Sequence, residues 1–279
     1  MKNLMITLIL ALISYTTFSQ SSIQVEKKGE GNPLLFLPGF TTPGSVWNET
    51  IDNLKDSYTS YTVSYAGFNG LKPIGTPWYA PIKDELIAYI KKENLSNVVI
   101  VGHSMGGNLA IDIAHELPEH ISGLVLVESI PCMRELMMPG VSANDLQYDS
   151  PYNKQTIEMP EEAFKQMAAG MAQNMTVNES KMEDLTQWVM NADRETYVYG
   201  YTDLLKLDLR DKLSDINIET LILGASFPDK EVIRANYEKQ YANLKSKKIE
   251  VAENSKHFIM FDEPVWFYDQ LNGYLNTNE

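Results

Sequence analysis

Continuous apolar runs alternate with amphipathic stretches along most of the chain. Leu34–Leu37 and Val98–Val101 are such runs, and they are typical of strands that are buried on both faces. Between runs of this kind the apolar residues recur at helical spacing, as in Pro81–Glu93. Strands that alternate with helices predict a mostly parallel, twisted sheet with helices on both of its faces, which is an α/β fold.

The same pattern predicts the individual elements from the first strand to the last helix. The predicted strands are 23–28, 34–37, 61–65, 98–101, 123–127, 220–223 and 248–251. The predicted helices are 46–56, 81–93, 108–117, 160–173, 179–190, 229–244 and 264–275. The length of the chain and the order of these elements predict one α/β domain over residues 21–279.

The alternation of strands and helices stops between Ile130 and Asp211, where turn clusters and two helical patterns replace it. We therefore predict a helical cap, about residues 131–211, inserted over the carboxyl edge of the sheet. The cap is rich in methionine, which suits an adaptable apolar binding surface, although ordinary helix packing explains the residues equally well. These methionines are Met133, Met137, Met138, Met159, Met167, Met171, Met175, Met182 and Met190.

The first twenty residues have the pattern of a cleaved secretory signal peptide. Lys2 is followed by an apolar run from Leu4 to Ile13 and then by small polar residues. The run is shorter than the roughly 20 apolar residues that a membrane anchor needs. We therefore expect export to the periplasm or the extracellular space, a mature chain that begins near Ser21, and no stable membrane anchor.

Charge and cysteine content argue against several classes of partner and site. A formal net charge of −14 disfavours binding to nucleic acid and to anionic membrane surfaces. Cys132 is the one cysteine of the sequence, so no disulfide within the chain is possible. The four histidines do not have a zinc-binding spacing, and we expect neither a metal nor a cofactor.

A serine stands where the strand 98–101 meets the helix that follows it. In Gly102-His103-Ser104-Met105-Gly106, the glycines remove Cβ atoms that would clash around a tightly turned serine. This pattern is typical of a nucleophile elbow and predicts Ser104 as the nucleophile. The Met105 N–H lies at the helix start, where it favours a developing negative charge, and is one oxyanion-hole candidate. A glycine-rich turn for packing or dinucleotide binding is the alternative, but the dinucleotide pattern requires glycine at position 104.

A second oxyanion-hole candidate follows the buried strand 34–37. Gly39 lets the backbone approach a ligand closely, and the next N–H, on Phe40, is the candidate donor. A plain turn that ends the strand is the alternative for this segment.

A serine hydroxyl needs an adjacent base before it becomes a good nucleophile. His257 is the candidate base, because it lies in the loop after the last strand, at the same sheet edge as Ser104. His103 adjoins Ser104, but neighbouring side chains diverge at a strand end. His115 and His120 lie at the far end of the helix after the elbow, where a histidine more often complements the helix dipole.

With these motifs the chain resembles the α/β-hydrolase family, specifically its capped, esterase-like members with a Gly-His-Ser-Met-Gly-Gly elbow. The likeness covers nearly all of the chain after residue 20. The family often has His-Gly where this chain has Pro38-Gly39, but the oxyanion donor there is a backbone group. The matching segments are Leu37–Phe40, Gly67–Gly70, Gly102–Gly107, His257–Phe258 and Glu263–Pro264.

The resemblance implies a carboxylate that orients His257, and two residues are candidates. The family usually has an aspartate about three residues after the glycine that ends the strand 220–223, where this chain has Phe227. Asp229 stands two residues later and also fits a helix-capping box. Some members carry the acid after the preceding strand, which corresponds to Glu128. We prefer Glu128 and keep Asp229 as the alternative acid; a carboxylate that only hydrogen-bonds at a strand end is the structural alternative for Glu128.

The resemblance implies acyl transfer without a cofactor, in which Ser104 attacks a carbonyl and water later releases the acid. A carboxylic ester of a small apolar substrate is expected, and an amide or a lactone stays open. An aminopeptidase would need acidic cap residues to hold the substrate amine, and Glu158, Glu161 and Glu162 are available. A cofactor-free peroxidase and a non-catalytic ligand receptor are weaker alternatives. A dehalogenase is disfavoured, because its family members need a carboxylate at position 104.

Overall fold

The structure is a computed structural model in which residues 20–277 are described. The predicted signal peptide, residues 1–20, lies outside the described residues except for Gln20, and export stays a prediction. Within residues 20–277, no helix combines the length and the apolar character needed to cross a membrane.

The described residues form a seven-stranded sheet. Its strands are β1 (Ile23–Lys28), β2 (Asn32–Leu37), β3 (Tyr58–Tyr65), β4 (Val98–His103), β5 (Ile121–Val127), β6 (Thr220–Gly224) and β7 (Lys247–Val251). Their order across the sheet is β1-β3-β2-β4-β5-β6-β7. β1 pairs antiparallel with β3, and the other neighbouring strands pair in parallel. The predicted mostly parallel α/β sheet is therefore confirmed.

Helices connect the strands. They are α1 (Asn48–Asp52), α2 (Tyr79–Lys92), α3 (Met105–Glu116), α4 (Met133–Met137), α5 (Pro151–Ile157), α6 (Glu161–Met175), α7 (Glu179–Met190), α8 (Arg194–Lys206), α9 (Lys230–Gln240), α10 (Ile259–Asp262) and α11 (Pro264–Thr277). The predicted helix 46–56 is shorter in the structure and ends with α1. Beyond α1, the Lys55 N–H donates to the Asn272 side chain at 2.9 Å instead of continuing the helix.

Separate groups of apolar side chains cover the two faces of the sheet. Along β2, Leu35 and Leu37 belong to one buried cluster, whereas Leu34 and Phe36 belong to the other. This division follows from the strand geometry, because successive side chains point to opposite faces. β4 is buried at every position, as expected for a strand in the middle of a parallel sheet.

The segment between β5 and β6 folds as helices α4 to α8. The predicted helices 160–173 and 179–190 are found as α6 and α7. Helix α8 was not expected, because its valine, threonine and tyrosine side chains favour strands. The Asp193 carboxylate nevertheless caps it, accepting from the Thr196 N–H at 2.8 Å. Its Tyr197 packs with Phe164 of α6 in a cluster separate from the two sheet cores.

The start of α3 lies unusually close to the ends of β2 and β5. A Cβ atom added at Gly106 would lie 2.1 Å from the Leu37 carbonyl oxygen. One added at Gly107 would lie 2.4 Å from the Ser129 side chain, and one at Gly102 would lie 2.4 Å from the Gly106 carbonyl oxygen. Only glycine fits at these positions, and the close approach holds the β4–α3 turn against the sheet.

We expect Gly106→Ala to lower the free energy of unfolding by about 1–3 kcal/mol or more, because the added methyl group meets backbone that cannot move aside. Gly170→Ala is the matched control, since Gly170 is also in a helix but has open space around its Cβ position. That control should gain about 0.5–1 kcal/mol. Urea unfolding of both variants measures the difference, and equal stabilities would show that the approach at Gly106 is not tight.

Candidate active site

Ser104 stands between β4 and α3 with a backbone conformation that is rare for residues other than glycine. Its φ is 53° and its ψ is −120°. The Ser104 N–H donates to the Val127 carbonyl of β5 at 2.9 Å, which ties the strained residue to the neighbouring strand. The serine thus projects at the carboxyl edge of the sheet, as an elbow requires.

His257 lies in the loop between β7 and α10, and the structure places it beside Glu128. Its Nδ1 is 3.2 Å from Glu128 Oε2. When Nδ1–H donates to this carboxylate, Nε2 carries the free lone pair of the imidazole. His257 and Ser104 line the same two cavities, so the structure brings the candidate nucleophile and the candidate base together.

Glu128 follows β5 directly, and it too has a left-handed backbone, with φ 46°. Its Oε1 accepts from the Ala225 N–H at 2.6 Å and from the Tyr237 hydroxyl at 2.9 Å. Two donors therefore hold one carboxylate oxygen, while Oε2 faces His257. Burial first, and then the adjacent Glu128, raise the pKa of Tyr237 well above its ordinary value, which keeps this hydroxyl a donor.

Asp229 lies elsewhere. It is the N-cap of α9, where its carboxylate accepts from the Val232 N–H at 2.9 Å. The position that usually carries the acid is occupied by Phe227, whose side chain is exposed. Of the two predicted carboxylates, the structure therefore brings Glu128 to His257 and uses Asp229 to cap a helix.

The two oxyanion-hole candidates flank Ser104. Met105 is the first residue of α3, where N–H groups have no partner within the helix. Phe40 follows Gly39, and a Cβ added at Gly39 would lie 3.3 Å from the Ser104 Cβ. The Gly39–Phe40 backbone is thus close to the serine, and Phe40 also lines the larger cavity there.

His103 supports the histidine loop. Its buried Nε2 lies 2.9 Å from the His257 carbonyl oxygen, and because a carbonyl only accepts, Nε2 carries the proton. Burial, and then the neighbouring His257, hold the pKa of His103 well below its ordinary value, so the ring is neutral at pH 7. By contrast, His120 bonds the Leu95 carbonyl at 2.6 Å, remote from Ser104.

The larger cavity beside Ser104 has a volume of about 310 Å³, and side chains of α4, α6, α7 and α8 form part of its wall. Methionine and aromatic side chains dominate it, and the described residues that line it include no carboxylate. They are Gly39, Phe40, Thr41, Thr42, His103, Ser104, Met133, Met171, Met175, Leu185, Trp188, Val189, Tyr197, Tyr201, Leu204, His257 and Phe258. Three of the nine methionines of the segment 131–211 line it, namely Met133, Met171 and Met175. Met159, Met167 and Met190 instead pack against the cluster around Phe164, so each of the two interpretations of the methionines holds for some of them.

A second, smaller cavity of about 170 Å³ is also lined by Ser104 and His257. Its lining is more polar. The lining residues are Ser104, Asn108, Glu128, Ser129, Ile130, Met133, Leu136, Ile233, Asn236, Tyr237 and His257. Within residues 20–277, no group of three or more histidine, cysteine, aspartate or glutamate side chains is arranged to hold a metal ion.

The cap is bonded to the histidine loop. The Phe258 N–H donates to the Met175 carbonyl at the end of α6 at 3.0 Å, and Lys256 Nζ donates to the Gln173 carbonyl at 2.6 Å. Asp262 accepts from the N–H of Val177 at 3.0 Å. The turn between α6 and α7 therefore supports the segment that carries His257.

Sequence reasoning missed the contributions of Tyr237 and His103. Tyr237 stands 109 positions after Glu128. Its helix, α9, is mostly exposed and buries only Tyr237 and Gln240, so the apolar pattern there is weak. His103 was not predicted to be the base. Its position next to Ser104 did not indicate that its ring contacts the carbonyl of His257, which stands 154 positions later in the chain. The spacing of apolar residues along α9 is the one signal that could have pointed to Tyr237.

Fold and comparisons together define the class of this protein as an esterase-type α/β hydrolase. A family model described as "Alpha/beta hydrolase family" matches residues 34–270, and the chain belongs to this family. The predicted class of protein is therefore confirmed.

Named relatives and solved structures agree with this class. The chain is 23% identical to a pimeloyl-[acyl-carrier protein] methyl ester esterase of Aliivibrio fischeri, over 92% of this chain and 99% of that protein. An esterase from Exiguobacterium antarcticum superposes with a TM-score of 0.77 at 22% identity, covering 91% of this chain and 95% of that one. An enol-lactonase from Burkholderia xenovorans LB400 superposes with a TM-score of 0.76 at 12% identity, covering 91% and 96%. These structures share the fold, and the esterase relatives agree with the predicted carboxylesterase type.

We expect Glu128→Gln to reduce kcat by several orders of magnitude, on the order of 10⁴-fold, because the amide cannot stabilise the imidazolium or fix its tautomer. Asp229→Ala should lose only about 0.5–2 kcal/mol of stability with the helix cap and keep its turnover. Ester turnover and melting temperature of both variants distinguish the two carboxylates. A slow Asp229→Ala beside an active Glu128→Gln would reverse the assignment.

We expect Tyr237→Phe to lower kcat roughly tenfold with little change in KM, because one of the two donors that hold Glu128 Oε1 is lost. Tyr241→Phe is the matched control: this buried tyrosine stacks on Tyr237 but donates to the Ser129 carbonyl at 2.8 Å. It should lose stability and keep kcat. Equal kcat losses in the two variants would assign the Tyr237 effect to packing.

Proposed function

We propose that the chain is a serine carboxylesterase that acts through Ser104, His257 and Glu128. The observation that carries this proposal is the 3.2 Å contact between His257 Nδ1 and Glu128 Oε2 beside a serine with a strained backbone. Nucleophile, base and orienting acid belong to three different segments, and they meet at the carboxyl edge of one sheet.

In the proposed reaction, Ser104 Oγ attacks the ester carbonyl while His257 Nε2 takes the hydroxyl proton. The amides of Phe40 and Met105 stabilise the oxyanion, and Glu128 stabilises the imidazolium. His257 then gives its proton to the departing alcohol. Water attacks the acyl-enzyme by the same route in reverse and releases the acid.

The proposed substrate is a small acyl ester with an apolar acyl group. The methionine and aromatic lining of the larger cavity supports an apolar group there, and the esterase names of the relatives support an ester bond. The acidic residues that an aminopeptidase would need, Glu158, Glu161 and Glu162, are exposed and line neither cavity. This placement disfavours the aminopeptidase alternative.

We expect Ser104→Ala and His257→Ala each to reduce turnover of short-chain chromogenic esters by about 10⁴-fold or more. Both variants should keep the wild-type circular dichroism spectrum, because Ser104 and His257 are partly exposed in the cavities. His120→Ala serves as the matched histidine control and should stay active. Retention of more than about a tenth of the activity in either site variant would contradict the proposed triad.

A further inference from the structure

The loop that carries the Phe40 N–H, residues 39–42, contains a residue with an unusual backbone conformation. The Thr42 N–H donates to the Gly39 carbonyl at 3.2 Å and closes a β-turn, which we call the oxyanion loop. Thr41, the third residue of this turn, has a φ of 63°. A positive φ at this position is typical of a type II turn and favours glycine or asparagine, so a β-branched threonine is strained there.

The Asn69 side chain bonds to this strained residue. Its Nδ2 donates to the Thr41 carbonyl oxygen at 2.9 Å, although 28 positions separate the two residues. A residue in a strained conformation persists only when its surroundings hold it. We propose that Asn69 is a positioning residue for the oxyanion hole. Its amide keeps Thr41 in the left-handed region, and that conformation keeps the Phe40 N–H beside the nucleophile. This inference rests on the proposed esterase function.

Asn69 belongs to a tight turn after β3. The Leu71 N–H donates to the Phe68 carbonyl at 3.0 Å, and the two residues between them, Asn69 and Gly70, have φ values of 52° and 85°. Two successive positive φ values are typical of a type I′ turn, in which glycine, asparagine and aspartate are favoured. Glycine at position 69 would therefore satisfy the turn, but it could not make the bond to Thr41.

This turn is anchored on two sides. The N–H of Asp193, the N-cap of α8, donates to the Gly67 carbonyl at 2.7 Å. The Phe68 ring meets the Phe40 ring edge-on, with the two ring centroids 4.9 Å apart. The Asn69 amide therefore extends from a segment that contacts both the cap and the oxyanion loop.

Asn69→Gly and Asn69→Asp test the proposal, because both residues suit the type I′ turn but neither glycine nor an ionised aspartate donates to the Thr41 carbonyl. We expect each variant to lower kcat for p-nitrophenyl butanoate roughly tenfold with little change in KM. Removal of an oxyanion donor itself costs about 10²–10³-fold. The smaller loss is expected because the Tyr65 hydroxyl still bonds the Pro38 carbonyl, just ahead of the loop, at 3.2 Å.

A transition-state analogue gives a readout that a general loss of packing does not produce. When trifluoromethyl butyl ketone adds to the enzyme, a bond forms from Ser104 Oγ to the carbonyl carbon, the π pair moves to the oxygen, and His257 takes the proton. The alcohol obtained by reducing this ketone cannot form the adduct. We expect the inhibition constant of the ketone to rise by the same factor as kcat falls, and that of the alcohol to equal the wild-type value.

Asn97→Gly is the matched control. Asn97 also has a positive φ, 53°, but it is exposed and lies just before β4, at the opposite end of that strand from Ser104. This variant should keep kcat and both inhibition constants. Circular dichroism and the melting temperature of each variant check that the fold is retained.

The negative results are distinguishable. Folded Asn69 variants with an unchanged kcat, or with inhibition constants that rise equally for the ketone and the alcohol, overturn the positioning role alone. An Asn69→Asp variant that keeps kcat while Asn69→Gly loses it assigns the effect to side-chain size and overturns that role too. A wild-type protein that neither hydrolyses the ester nor is acylated at Ser104 by a fluorophosphonate probe overturns the proposed function, and the positioning role with it.

Discussion

The close packing of α3 against the ends of β2 and β5 is the constraint on which the site depends. Gly102, Gly106 and Gly107 leave no room for a Cβ atom, so the helix begins within contact distance of the sheet backbone. That approach fixes the turn in which Ser104 has its left-handed φ, and it brings the first N–H groups of α3 to the sheet edge. The two hydrophobic cores stabilise the sheet, and the glycines determine where the serine projects from it.

Two adjacent strands end in the same unusual way. β4 is followed by Ser104 and β5 by Glu128, each with a positive φ. Such residues cost about 1–3 kcal/mol each and persist only when their surroundings hold them. Here the Ser104 N–H bonds to Val127, and the Glu128 carboxylate is bonded by Ala225 and Tyr237. The strain is therefore concentrated at the sheet edge, where both side chains contribute to the proposed chemistry.

Local signals in the sequence predicted the sheet and the position of the serine, because apolar runs and a glycine-flanked turn act over a few residues. His257 could be placed at the same edge because parallel strands end together. The choice of Glu128 over Asp229 was a prediction from Phe227 and helix capping, and the structure places Glu128 beside His257. Helix α8, the support from Tyr237 and the division of the site into two cavities depend on contacts between distant segments, which no local pattern shows.

The bonds between the α6–α7 turn and the histidine loop have a consequence for how the site opens. Phe258 and Lys256, on either side of His257, are bonded to carbonyl groups at the end of α6, and Asp262 is bonded to the turn that follows. Lifting the α6–α7 turn breaks those bonds and leaves His257 with its bonds to Glu128 and His103. Opening of the site at this turn therefore also loosens the loop that carries His257, so the seating of the turn and the position of the imidazole are coupled.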